Sequence, residues 1–84
     1  MYNVKVRVLH HGNAVEGYLH LDPDGMSNMN LGQVQEEVDL LQQLIAENKL
    51  SRLVLRTRDL PPTDILLPEQ VLLNSIIMFT IVEE

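Results

Sequence analysis

Leu31 to Leu50 is the stretch that most restricts the fold of this 84-residue chain. Its apolar residues Leu31, Val34, Val38, Leu41 and Ile45 recur at alternating spacings of three and four. That rhythm lines them up as one stripe of a 3.6-residue helix. Asn30 stands where an N-cap belongs and Gln33 follows at N3, the pairing that makes a capping box. Glu36, Glu37 and Asp39 put negative charge in the first half, toward the positive end of the helix dipole. The segments on either side read as strand or turn, so the spacing predicts one long helix covering one face of a sheet.

Composition narrows what that helix packs on. There is one Phe, two Tyr and no Trp, so the core is aliphatic. The absence of Cys excludes a disulfide framework, thiol catalysis and Cys-ligated zinc. The N-terminus alternates polar and apolar residues at once, unlike a signal peptide. No apolar run approaches the roughly 18 residues of a membrane span. These features predict a single domain over residues 1–84 that is soluble and cytoplasmic. A net charge of -6 opposes general nucleic-acid binding while leaving room for a local basic patch.

Before the helix, Tyr2, Val4, Val6 and Val8 alternate with Asn3, Lys5 and Arg7, a period of two with β-branched residues on one face. His10 to Asn13 form a turn in which Gly12 and Asn13 suit positive φ. Val15, Gly17, Leu19 and Leu21 are the inward set of a second strand, with Glu16, Tyr18 and His20 on its other face. Asp22-Pro23-Asp24-Gly25 is a turn signal that ends this hairpin. After the helix, Leu53, Leu55 and Thr57 alternate with Arg52, Val54, Arg56 and Arg58. Leu60-Pro61-Pro62 breaks that strand, and Ile65 to Leu67 add a short edge segment. Pro68 to Leu73 suit a single helical turn that Asn74 closes in the left-handed region. Ile76 to Val82 form the last strand, apolar on both faces, which points to a central or doubly covered position.

The order hairpin, helix, strand, short helical turn, strand resembles the layout of ubiquitin-like β-grasp proteins. The resemblance implies an α+β fold of ββαββ type, a four-stranded mixed sheet with one long helix packed on one face. The last strand would then run parallel to the first at the centre of the sheet. The chain ends Val82-Glu83-Glu84 without Gly-Gly, so conjugation as a modifier is not implied. The alternative is a sandwich with a different strand order.

Two surfaces compete as binding sites. Leu40 and Leu44 lie off the main helix stripe and form a second apolar strip, which with the outer side of the last strand (Ile76, Met78) suits a partner or a second copy. Glu36 and Glu37 supply rim charge. The plainer reading makes Leu44 a core-edge residue and Leu40 a lone exposed leucine. The alternative surface is basic. Lys5, Arg7, Arg52, Arg56 and Arg58 are five of the six basic residues, and the strand phases turn all five away from the helix. Such a face suits an anion or nucleic acid, with Tyr18 and His20 placed to stack on bases. The plainer reading is a solvated sheet face in which Glu16 pairs with Lys5 or Arg7.

Chemistry has little support. His10, His11 and His20 lack a completing carboxylate for a metal, and Asp22 to Gly25 lack the later ligands of a calcium loop. Ser27, Ser51 and Ser75 sit in no nucleophile motif, and Asp59 and Asp64 only flank a proline-rich loop. Phosphate-cradling and dinucleotide motifs are missing too, so no cofactor is expected. The expected function is a small non-catalytic protein-binding module that self-associates as a dimer or meets a protein partner. One such partner is a nucleic-acid-handling enzyme, inhibited in the manner of small acidic phage proteins. The alternative is an anion or nucleic-acid binder using the arginine face.

Overall fold

The computed structural model describes residues 2–19, 30–57 and 63–83. The elements are β1 (Tyr2–His10), β2 (Asn13–Leu19), α1 (Leu31–Ala46), β3 (Arg52–Arg56), β4 (Asp64–Pro68), α2 (Glu69–Leu73) and β5 (Ile76–Glu83). His20, the Asp22–Gly25 turn, Arg58, Asp59 and the 60–62 break lie outside the described residues.

β1 and β2 form the expected antiparallel hairpin, in continuous register from Lys5–Tyr18 to His10–Asn13. Positive φ falls on His11 (50°) and Gly12 (80°), not on Asn13. Two such central residues make the tight two-residue turn whose twist matches the strands. α1 opens on the capping box: Gln33 N–H donates to Asn30 Oδ1 at 2.9 Å, and Asn30 N–H donates to Gln33 Oε1 at 3.0 Å. It stops at Ala46 rather than Leu50. There Asn48 turns left-handed (φ 56°), and Lys49 N–H reaches back to the Leu44 carbonyl at 2.8 Å. This Schellman-type closure satisfies the last carbonyls and ends the helix. No acidic residue stands in the first turn, so Glu36, Glu37 and Asp39 lie beyond the reach of the N-terminal dipole.

The expected four-stranded mixed sheet is overturned. Among the described residues the sheet has five strands in the order β4-β3-β2-β1-β5, and all four neighbouring pairs are antiparallel. The segment after the proline break is a full strand, so β3 and β4 make a second hairpin. The 16-residue α1 is accompanied by the short helix α2. α2 then delivers the chain to the turn end of β1, where His10 Nδ1 lies 2.9 Å from Ser75 Oγ. β5 therefore starts beside Leu9 and runs back along β1 antiparallel, ending with Glu83 opposite Tyr2. Among the described residues it is an edge strand, not a central one, and it is antiparallel to β1, so the β-grasp layout, with parallel first and last strands, does not form. Asn74 has φ -113°, not the expected left-handed value; its side-chain Nδ2 instead donates to the Gln70 carbonyl at 3.1 Å.

The core lies on one side of the sheet. Val4, Val6 and Val8 of β1, Leu19 of β2, Leu53 and Leu55 of β3 and Leu67 of β4 pack with Val34 and Val38 of α1 and Leu72 of α2. Among the described residues, two pairs, Tyr18–Arg56 and Leu19–Leu55, join the two hairpins. Gly17 makes that seam possible, because a Cβ there would fall 2.9 Å from the Leu55 Cβ and 3.3 Å from the Arg56 carbonyl oxygen.

Candidate functional site

Alternation along each strand sends one set of side chains away from the core. Cross-strand register sorts them into rows. Nearest the hairpin turn, Ala14, Leu9 and Ile76 stand side by side on β2, β1 and β5. Glu16, Arg7 and Met78 form the next row, and Tyr18, Lys5 and Thr80 the one after. Arg56 of β3 and Asp64 of β4 extend the third row past Tyr18. The face is closed at its far end, where Asn3 is only 8% exposed, and open at the turn end, where Ile76 is 64% exposed.

The basic residues and the outer side of the last strand thus meet on one face. Met78 stands directly opposite Arg7, and Lys5, Arg7, Glu16, Met78 and Thr80 line a shallow concavity of about 290 Å³. Glu16 Oε2 lies 4.0 Å from Lys5 Nζ, and its Oε1 lies 3.5 Å from Arg7 Nε. Exposed pairs of this sort contribute under about 1 kcal/mol, yet they place a carboxylate within the basic patch. Arg52 and Arg56 occupy the same face farther along, on β3. Leu40 and Leu44 do not join this surface, because α1 lies over the opposite, core side of the sheet. Leu40 is 51% exposed there, whereas Leu44 is half-buried at the core margin. Glu36 is exposed and Glu37 half-buried on the same helix.

Sequence inspection missed the pairing of His10 with Ser75, which lie 65 residues apart. A serine beside an imidazole invites a catalytic reading, but proton counting opposes it. The Ser75 hydroxyl donates to the Val71 carbonyl of the preceding turn, so its one proton is already engaged. A hydroxyl held in this way is not activated for attack. The contact ties the β1–β2 turn to the start of β5, and only the folded chain reveals it.

Among the described residues, no group of three or more His, Asp or Glu gathers to hold a metal. A crevice lined by Ile45, Asn48, Leu50, Leu72 and Leu73 offers about 10 Å³, room for a single water. No helix of the described residues is long and apolar enough to cross a membrane. Comparison with known proteins returned no matching family model, no matching curated protein and no matching solved structure.

Proposed function

We propose that this chain is a non-catalytic protein-binding module that associates with a second copy of itself through the β5 side of its sheet. The observation that supports this reading is the one-sided placement of the helices. α1 and α2 pack on the core face, leaving Ile76 (64% exposed) and Met78 (40% exposed) in solvent beside Leu9. Burying aliphatic surface of this kind contributes about 25 cal/mol per Å² before the costs of association. Glu36 on the far layer stays open to a second, basic partner. An acidic surface of that kind suits the phosphate-binding cleft of a nucleic-acid-handling enzyme.

The anion-binding reading draws on Lys5, Arg7, Arg52 and Arg56 sharing one face. It is the weaker reading, because Glu16 sits between two of these cations and Asp64 stands opposite Arg56. Light scattering separates the two. The expected result is twice the chain mass, unaffected by salt or by Arg56→Glu and reduced to one chain by Met78→Glu. A wild type that stays at one chain mass at every concentration overturns the proposal. Capture of single-stranded nucleic acid that collapses with moderate salt and with Arg56→Glu hands the function to the basic face.

A further inference from the structure

We infer that the second copy pairs through the free edge of β5, antiparallel, so that two five-stranded sheets join into one continuous sheet with Phe79 opposite Phe79 of the other copy. This inference rests on the self-association proposed above and specifies its geometry. It begins with hydrogen-bond parity. The two-residue turn makes His10–Asn13 a hydrogen-bonded pair, and the β1–β2 register runs without a bulge. The even-numbered residues of β1 therefore bond to β2, and Asn3, Lys5, Arg7 and Leu9 bond to β5. Their partners on β5 are Val82, Thr80, Met78 and Ile76, again without a bulge. The N–H and C=O groups of Ile77, Phe79 and Ile81 are left pointing away from the sheet. No strand lies beyond β5 among the described residues.

The character of the two edges differs in a way that selects β5. β4 is five residues long, starts with Asp64 and ends on Pro68. Short length, charge and proline are the usual protections of a sheet edge. β5 is eight residues long and carries no charge or proline from Ile76 to Val82. Its core-facing residues Ile77, Phe79 and Ile81 are only half-buried, although they face fully buried valines of β1. The core is open at this edge, and a second β5 would close it.

Symmetry and charge then choose the arrangement. A two-fold axis perpendicular to the sheet pairs the strands antiparallel and keeps both helix layers on one side. It also sends the two Glu83 carboxylates to opposite ends, whereas parallel pairing would set them side by side. Parity demands that odd residues pair with odd. With Phe79 on the axis, Ile77 meets Ile81 and Ile76 meets Val82 of the other copy, apolar against apolar. A register one step along would place Glu83 against Ile77.

The test is site-specific oxidation, since the chain has no cysteine of its own. With Phe79 on the axis, position 78 faces position 80 of the other copy in a non-hydrogen-bonded pair, close enough for a disulfide. The variant M78C/T80C is expected to oxidise to a covalent dimer, while T80C alone stays unlinked. Phe79→Pro removes edge-facing donors without touching the ladder to β1, and is expected to raise the dimer dissociation constant about tenfold or more. A wild-type dimer that neither crosslinks through 78 and 80 nor weakens with Phe79→Pro overturns the edge pairing and leaves self-association through the outer face standing. Crosslinking by T80C alone overturns the Phe79-centred register. A wild-type monomer overturns both proposals.

Discussion

β1 and β5 lie side by side, in register from Tyr2–Glu83 to Leu9–Ile76, yet they are buried very differently. Val4, Val6 and Val8 are 0–1% exposed, while Ile81, Phe79 and Ile77, which face them, are half-buried. β5 is the more hydrophobic of the two, since β1 carries Lys5 and Arg7 on its outer face and β5 carries Met78 and Thr80 there. Burial therefore follows neighbours rather than side-chain type. β1 has a strand on each side and a helix above it. β5 has a strand on one side only, among the described residues.

The harshest way to break this comparison is to place a carboxylate in each strand. Val6→Asp buries an unpaired charge at a fully enclosed site and is expected to cost more than about 4 kcal/mol. Because domains of this kind are marginally stable, the far-UV circular dichroism of the variant should report an unfolded chain. Ile76→Asp should keep the wild-type spectrum; if it unfolds the chain instead, the contrast between the strands is lost. The seam offers a milder test. Gly17→Ala forces a methyl against Leu55 and is expected to cost about 1–3 kcal/mol in denaturant titration, since the contact involves the Arg56 backbone as well. An unchanged midpoint would mean that the hairpins approach less closely than described. Asn30→Ala removes one half of the capping box and is expected to cost about 1 kcal/mol, read from the same titration. The smallest effect sharpens the contrast. Ile76→Ala should shift the unfolding midpoint of dilute, monomeric protein by no more than about 0.5 kcal/mol, while weakening association at higher concentration.

Many local signals were legible where the cause was local, although the positive φ expected at Asn13 and Asn74 is absent. The Asn30–Gln33 box and the helical stripe need only residues within a few turns of one another; the box is present, and of the stripe Val34 and Val38 are buried, Leu41 and Ile45 half-buried and Leu31 exposed. The inward valines of β1 and the faces of Glu16 and Tyr18 follow from period two. Where the helix stops was less clear, because Leu50 continues the apolar content and only the left-handed Asn48 halts the turn. The candidate site divided in the same way. That Lys5, Arg7, Arg52 and Arg56 share a face was readable from alternation. That Met78 shares it, and Leu40 does not, depends on which strand lies beside β1 and on which side α1 packs. The apolar run Ile76 to Val82 suggested a covered, central strand, because two apolar faces normally mean two covers. In the folded chain one of those faces is bare.

The amino-acid order alone sets the helix, its cap, the first hairpin and the alternation that separates an aliphatic core from a polar and basic face. Those features depend on contacts a few residues apart, where φ/ψ preferences and side-chain periodicity act directly. Strand order, the antiparallel sense of β5 and its place at the edge came only from assembly. They depend on Leu55 settling against Gly17 and on Ser75 meeting His10 across 65 positions of chain, and a period-two pattern carries no information about which neighbour a strand will find.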